Sequence, residues 1–193
     1  MKIEILYPEI CTLYGDKGNT MYLQKCLPDA EFVTTGLNEK PLFLKENIDM
    51  VYMCSMSEKS QELVLDRLMQ YKDEIAACMK DGKALFLLVG NSMELLGDYI
   101  KREDGTRVTG LGVVPGMYSV RQAPNRFNTL IKAKFNDMTL IGYTSRFAHT
   151  YGIPDDMTFC KVEIGQGSNP DTMNEGICKN RVIATYIHGP CLL

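Results

Sequence analysis

Apolar runs alternate with amphipathic segments along the first half of the chain. Between positions 57 and 79 the apolar residues follow the helical period, which predicts one long amphipathic helix ending at Asp81-Gly82. Short apolar runs predict four β-strands, at residues 3–7, 31–34, 50–54 and 84–89. The last run is apolar throughout, which is typical of a central strand buried on both faces. Strands that alternate with helices indicate an α/β fold with a mostly parallel central sheet flanked by helices.

A loop rich in Gly, Asp and Asn, residues 12–19, follows the first predicted strand. Asn19-Thr20 is a suitable N-cap, and the apolar positions Met21, Leu23 and Leu27 predict a helix directly after it. A capped turn alone accounts for the composition of this loop.

The second half of the chain changes to shorter β-like runs separated by Gly, Pro and Asn. These runs predict strands at residues 129–135, 139–144, 161–164 and 182–187. We interpret them as the rest of the same sheet with an antiparallel addition. The chain contains neither an internal repeat nor a convincing linker, so we expect residues 1–193 to form a single domain.

Composition narrows the class of protein. The net charge of -3 comes from 21 basic and 24 acidic residues without a block of one sign, which argues against a nucleic-acid partner. No run approaches the roughly 20 apolar residues that span a bilayer, and the N-terminal run is too short for a signal peptide. The seven cysteines are scattered without a C-x-x-C pair, so we expect no disulfide framework and no metal site. We predict a cytoplasmic protein that does not insert into membranes.

Two features point to chemistry at the sheet edge. Gly90-Asn91-Ser92 follows the most apolar strand and begins a short amphipathic stretch, which predicts the tight strand-to-helix elbow that often presents a nucleophile. His188 follows a later predicted strand, beside a Gly-Pro turn. The carboxyl ends of parallel strands gather ligands and catalytic groups, so His188 is a candidate general base; a structural histidine at a turn is the alternative.

Several segments, taken in order, resemble class I glutamine amidotransferase domains of the cobyric acid synthase (CobB/CobQ) type. The resemblance is greatest to the GatD glutaminase subunits of lipid II isoglutaminyl synthases. Tyr14, Gly15, Asp16 and Asn19 lie in a segment similar to the loop after the first strand in this family. The other segments are residues 140–143, 149–152 and 184–190, the last of which resembles the segment with the family's catalytic histidine.

The resemblance implies a flavodoxin-like fold and glutamine as substrate, without a cofactor. In this family a cysteine at the elbow attacks the side-chain amide of glutamine, a histidine activates the thiol, and backbone amides hold the oxyanion. The ammonia passes to a partner, which is a Mur-ligase-like subunit for GatD. By position, His188 corresponds to the histidine.

The chain departs from the family at the elbow and beside it. Gly90 stands at the position of the cysteine, Glu94 at that of a glutamine, and Ser92 at that of a flanking glycine. After the third strand, residues 54–61 replace a glycine-rich turn, which puts the backbone donors of the oxyanion hole in doubt. Two residues are weak substitutes for the nucleophile: Ser92, and Cys54, which is more easily explained as a buried inert thiol.

Two further differences concern the substrate. Arg126 is the best match to the arginine that grips the carboxylate of glutamine in GatD, and a guanidinium suits a carboxylate. Residues 143–149 do not reproduce the family's Glu-Asn-His and glycine-rich run. The family also continues into further helix after the His-Gly-Pro segment, so we expect this amidotransferase-like domain to lack that C-terminal extension.

Three hypotheses follow. The first, which we favour, is a catalytically degenerate amidotransferase subunit that partners a Mur-ligase-like protein in cell-wall lipid II amidation. The second is an active glutaminase with a displaced nucleophile. The third is a repurposed module that binds a small molecule. A nucleophile within hydrogen-bond reach of His188 would distinguish the second hypothesis from the first.

Overall fold

The computed structural model describes residues 1–15 and 17–189. The first half of the chain forms β1 (Lys2–Leu6), α1 (Lys17–Cys26), β2 (Glu31–Thr35), β3 (Met50–Met53), α2 (Glu58–Met69), α3 (Lys72–Asp81) and β4 (Leu85–Val89). The second half forms β5 (Tyr99–Lys101), β6 (Arg107–Thr109), β7 (Tyr118–Arg121), β8 (Phe127–Phe135), β9 (Met138–Arg146), β10 (Ala148–Tyr151), β11 (Thr158–Ile164), β12 (Asn174–Lys179) and β13 (Val182–Thr185). Short 3₁₀ segments lie at Leu42–Leu44, Gly90–Leu96 and Asp155–Met157.

The central sheet has nine strands in the order β2-β1-β3-β4-β13-β12-β11-β8-β9. Neighbouring strands from β2 to β13 are parallel, and those from β13 to β9 are antiparallel. The predicted α/β fold is therefore confirmed, and the antiparallel addition makes up the other half of the sheet. One strand of this antiparallel half, β12, was not predicted from the sequence.

Helices cover both faces of the parallel half. Leu23 of α1 packs with Ile3 and Tyr52 on one face. On the other face, the apolar sides of α2 and α3 pack against alternate residues of the same strands, among them Phe86 and Leu88 of β4. The alternation places successive residues of β3 and β4 in two separate apolar layers, which explains why these two strands are apolar throughout.

The prediction of one continuous helix over residues 57–79 is wrong, because this segment forms two helices, α2 and α3. Ser57 caps α2 by accepting a hydrogen bond from the Ser60 N–H, and the chain leaves the helical conformation at Tyr71, where φ is -120°. One continuous helix of this length would span about 35 Å at 1.5 Å per residue. The four- and five-residue strands beneath it are about half as long, so the break keeps both apolar sides on the sheet.

Helix α1 also begins earlier than predicted. It starts at Lys17, so Asn19 and Thr20 lie in its first turn and do not cap it. Asp16 lies outside the described residues. The longest described helix has 12 residues, and none of the helices in the described part of the chain is long and apolar enough to cross a membrane.

A second, four-stranded sheet in the order β10-β7-β5-β6 was not predicted. Its strands have only three or four residues, too few for an alternating pattern to stand out in the sequence. Directly opposed tyrosines stack across it: Tyr99 on Tyr118 with ring centroids 5.1 Å apart, and Tyr118 on Tyr151 at 5.4 Å.

The antiparallel half of the central sheet curls back on the segment after β13. The Tyr143 N–H donates to the His188 carbonyl at 3.2 Å, and the His188 N–H donates to the Tyr143 carbonyl at 2.7 Å. The enclosed core contains Ile131, Val162 and Ile187. This pairing fixes the backbone of the candidate catalytic histidine between the two halves of the sheet.

Glu62 ties α2 to the second sheet. It pairs with Arg121 of β7 and with Arg102, each at 2.7 Å, and the hydrogen bond from Arg102 lowers the pKa of Glu62 to about 2, aided by Arg121. We expect Glu62→Gln to lower the free energy of unfolding by about 2–3 kcal/mol at pH 7, because the Arg121 side chain, only 5% exposed, loses its counterion.

Urea unfolding at pH 7 measures this effect. Asp66→Asn is the matched control, since Asp66 is an exposed carboxylate on the same helix, 3.8 Å from Arg67, and such surface pairs contribute little. Equal losses in the two variants would refute the special role of the Glu62 pair.

Candidate functional site

The elbow and the histidine lie side by side at the carboxyl edge of the parallel strands. β13 pairs with β4 so that Thr185 is opposite Val89, which brings the segments that follow both strands together. Gly90 has φ of +69°, a conformation that side chains rarely adopt outside strained turns. A Cβ atom on Gly90 would lie 2.9 Å from Cε1 of His188. A side chain at position 90 would thus be directed at His188, and glycine supplies no nucleophile there.

His188 is packed between two tyrosine rings. Tyr14 meets it edge-on with ring centroids 4.8 Å apart, and Tyr143 stacks on it at 5.3 Å. The side chain is 2% exposed, and neither ring nitrogen has a hydrogen-bond partner among the described residues. Burial lowers the pKa of His188 to about 4, so the imidazole is neutral at pH 7, the form that a general base requires.

Ser55 fills the space that a nucleophile at the elbow would need. The same Cβ atom built on Gly90 would overlap the Ser55 hydroxyl oxygen and lie 3.0 Å from Cβ of Ser55. Ser55 is 1% exposed, and its hydroxyl has no hydrogen-bond partner in the part of the chain that the structure describes. Sequence reasoning missed this residue. The adjacency of β3 and β4 in a parallel sheet was the available signal, because it places the residues after both strands together.

The two substitutes proposed from the sequence are placed differently. The Ser92 hydroxyl is within hydrogen-bond distance of the backbone carbonyls of Val89, at 2.8 Å, and Met53, at 3.2 Å, and the residue is fully buried. Cys54 packs in the apolar layer beneath α1. Since the ring nitrogens of His188 accept no hydrogen bond from any described residue, neither side chain forms a pair with it.

The loop after β3 is bound to the elbow by a side-chain amide. The Met56 N–H donates to Oδ1 of Asn91 at 3.0 Å, and Nδ2 of Asn91 donates to the Met56 carbonyl at 2.7 Å. This backbone N–H, which lies in the segment expected to hold an oxyanion, is therefore already occupied. An oxyanion hole needs donors that are free to bind the developing charge.

The family loop and Arg126 form the rim of the site. The exposed Arg126 donates from Nη2 to the Tyr14 hydroxyl at 3.1 Å, and its guanidinium lies 5.0 Å from the centre of the Phe147 ring. Gly15 lies next to Tyr14 at φ +77°, and Asn19 lies in α1. The structure thus brings Tyr14 and Arg126 together beside His188, and Arg126 remains on the surface.

The cavity beside the elbow is nearly closed. Tyr14, Asn91, Glu94, Arg121 and Arg146 are among its lining residues, and its volume is about 10 Å³. This is about the space that one water molecule needs. Glutamine, a molecule of ten heavy atoms, does not fit in this arrangement of the side chains.

Glu94, which we expect to correspond to a glutamine of the family, belongs to a buried polar network. Its carboxylate accepts hydrogen bonds from Nε2 of Gln61 at 2.9 Å and from the Tyr186 hydroxyl at 2.8 Å. The network continues from Tyr186 through Thr150 to Ser119, each step 2.7 Å. Burial raises the pKa of Glu94. Among the described residues, no group of three or more His, Cys, Asp or Glu side chains is arranged to hold a metal ion.

Residues 2–192 match the model of the CobB/CobQ-like glutamine amidotransferase domain. The chain belongs to this family. It is similar to the GatD subunit of the glutamine-hydrolysing lipid II isoglutaminyl synthase of Streptococcus pneumoniae R6, at 27% identity over all of this chain and 75% of the relative. The GatD subunit of Staphylococcus aureus N315 is 26% identical over 93% of this chain and 73% of its own length. The resemblance read from the sequence is thus confirmed.

Solved structures show the same fold. A PurLQS structure from Thermotoga maritima superposes with a TM-score of 0.67 at 12% identity, covering 97% of this chain and 86% of its own. A glutamine amidotransferase crystal structure gives 0.64 at 13% identity, covering 96% and 89%. This CobB/CobQ-like domain therefore has the flavodoxin-like class I amidotransferase fold.

Proposed function

We propose that this CobB/CobQ-like domain is a catalytically degenerate amidotransferase subunit of a lipid II-amidating complex, in which it partners a Mur-ligase-like protein without hydrolysing glutamine. The observation that carries the proposal is the elbow. Gly90 has no nucleophile, and the Ser55 hydroxyl occupies the place of the missing side chain against His188.

Two features of the surroundings support the loss of hydrolysis. The cavity of about 10 Å³ has no room for glutamine. The Met56 N–H is engaged by Asn91 and is not available to an oxyanion. Removal of one oxyanion-hole donor costs a serine protease about 10²–10³ in kcat, so we expect the loss of both the nucleophile and a donor to leave no measurable turnover.

The role as a subunit is supported by the relatives and by the surface. Both GatD relatives are named as subunits of lipid II isoglutaminyl synthase. The outer face of the antiparallel half presents Leu130 at 77% exposure, Ile164 at 61% and Ile141 at 54%. Clustered exposed side chains of this size are typical of a surface that a partner covers.

The test is release of glutamate and ammonia from glutamine by the purified chain, alone and mixed with the Mur-ligase-like protein of the same organism. We expect no release in either case, beside an active cysteine-containing GatD as positive control. We expect the two proteins to co-elute in size-exclusion chromatography. Turnover would refute degeneracy, and separate elution at micromolar concentrations would refute the partnership.

One observation favours a second candidate, glutamine hydrolysis from a displaced nucleophile. The Ser55 hydroxyl and Cε1 of His188 both lie within 3 Å of one point, and neither side chain has a hydrogen-bond partner among the residues described. If the wild-type chain did hydrolyse glutamine, Ser55→Ala would abolish the activity under this hypothesis, whereas Ser92→Ala would leave it unchanged.

A further inference from the structure

Arg146, on β9, is a buried cation with unused donors. The residue is 3% exposed, its Nη2 donates to the Gly167 carbonyl, and its guanidinium lies 4.4 Å from the centre of the Tyr186 ring. Its Nε and Nη1 are buried and have no hydrogen-bond partner within the described ranges. Buried donors of a charged group are costly to leave unsatisfied, which indicates that something absent from the protein chain binds them.

Arg121 adds a third unused donor at the same place. Its Nη1 pairs with Glu62 at 2.7 Å and its Nη2 donates to Oε1 of Gln61 at 3.0 Å, but its buried Nε has no partner in the described structure. Arg121 and Arg146 line the same cavity of about 10 Å³. Two guanidinium groups thus border one water-sized space from β7 and β9.

The nearby carboxylates do not bind the free donors of Arg146. Glu175 interacts with Arg146 electrostatically, but its two oxygens accept hydrogen bonds from the Thr185 hydroxyl and the Tyr186 N–H. Glu94 accepts hydrogen bonds on both oxygens from Gln61 and Tyr186, and burial raises its pKa. Glu62 is engaged by Arg102 and Arg121. Glu58, also on the lining, is partly exposed to solvent. Arg146 forms no salt bridge with any carboxylate among the residues that the structure describes.

We propose that Arg146 and Arg121 bind a single monatomic anion, such as chloride, in the small cavity beside the elbow. The cavity volume admits one particle of about the size of water, which excludes larger anions such as gluconate. The bound ion supplies the hydrogen-bond acceptor that Nε and Nη1 of Arg146 lack and occupies space that a substrate would otherwise need. The proposal does not depend on the proposed function, since it concerns the folded chain alone.

Thermal unfolding of the purified chain in sodium chloride and in sodium gluconate, at equal ionic strength, tests this site. A ligand that binds only the folded state stabilises it, so the unfolding midpoint should rise by roughly 3–5 °C for each tenfold increase of chloride above its Kd, and not with gluconate. Arg146→Gln should remove the chloride-specific rise. Arg107→Gln, a change at an exposed arginine over Tyr99, should retain it.

Equal midpoints in the two salts, or an unchanged chloride effect in Arg146→Gln, would overturn the proposal. Because Arg146→Gln could fail to fold, wild-type crystals soaked in sodium bromide provide a second test. An anomalous peak beside Nε or Nη1 of Arg146 is expected. Bromide peaks at the surface only would show adventitious ions and overturn the site.

Discussion

Replacing Gly90 with cysteine is expected to lower the free energy of unfolding by about 2–5 kcal/mol and to leave glutamine hydrolysis undetectable. Two costs combine. A side chain at φ +69° is strained, and its Cβ would overlap the Ser55 hydroxyl in a buried site. A cysteine at the position that we expect to be that of the family's nucleophile is therefore not sufficient for hydrolysis, because Ser55, in the loop after β3, occupies the space of its Cβ.

The double variant Gly90→Cys/Ser55→Gly separates the two costs. Removing the Ser55 side chain should recover the overpacking against Ser55, about 1–3 kcal/mol, and leave the conformational part and the 2.9 Å contact of the added Cβ with Cε1 of His188. Gly105→Cys is the control for conformation alone, since Gly105 has φ +85° with no atom within 4 Å of the added Cβ. Urea unfolding measures all three. A Gly90→Cys protein as stable as Gly105→Cys, or one that hydrolyses glutamine, would show that Ser55 moves aside.

Replacing His188 with phenylalanine is expected to make the protein less sensitive to acid. The pKa of His188 is lowered by burial from 6.5 to about 4, so below pH 6.5 the unfolded chain binds a proton that the folded chain does not. Stability is therefore lost as the pH falls from about 6.5 to about 4. The shift corresponds to about 3 kcal/mol at most. Phenylalanine keeps the ring between Tyr14 and Tyr143 but does not titrate.

The measurement is the difference in free energy of unfolding between His188→Phe and wild type, from urea titrations between pH 7.5 and 4. As the pH falls, the wild-type protein should lose more free energy of unfolding than the variant does. Differences are needed because Glu94 and Glu175, whose pKa values burial raises, act in the opposite direction in part of this range. His149→Phe should behave like His188→Phe, since burial and the charge of Arg146 lower the pKa of His149 to about 4. Curves that stay parallel at all pH values would contradict a buried neutral His188.

The parallel half of the fold could be predicted because its signals are local. β3 and β4 are short apolar runs, and the pattern is the direct result of burial between two helical layers. The break at Tyr71 could not be predicted from the sequence. Residues on both sides of it keep the helical period, and only the short strands beneath require two helices instead of one. The second sheet was not predicted, because strands of three residues are too short to show an alternation of apolar and polar residues.

Only those features of the site that follow from the strand order could be predicted from the sequence. Gly90 and His188 follow strands that become neighbours, so their adjacency depends only on strand order. The position of the Ser55 side chain depends on the conformation of an irregular loop and on the Asn91 amide that holds it, which no periodicity describes. The burial of Arg146 depends on β9 packing over Tyr186, a contact between residues 40 positions apart.

The position of β13 has a consequence for protein synthesis. β13 lies between β4 and β12, in the middle of the nine-stranded sheet, although it follows β4 by more than 90 residues in the chain. Until residues 182–185 leave the ribosome, the backbone groups at one edge of β4 have no strand with which to pair. Nascent chains with such an edge are prone to pair with one another. A ribosome-bound chain of this protein is thus expected to need a chaperone, or fast synthesis of the segment up to β13, more than the finished sheet suggests.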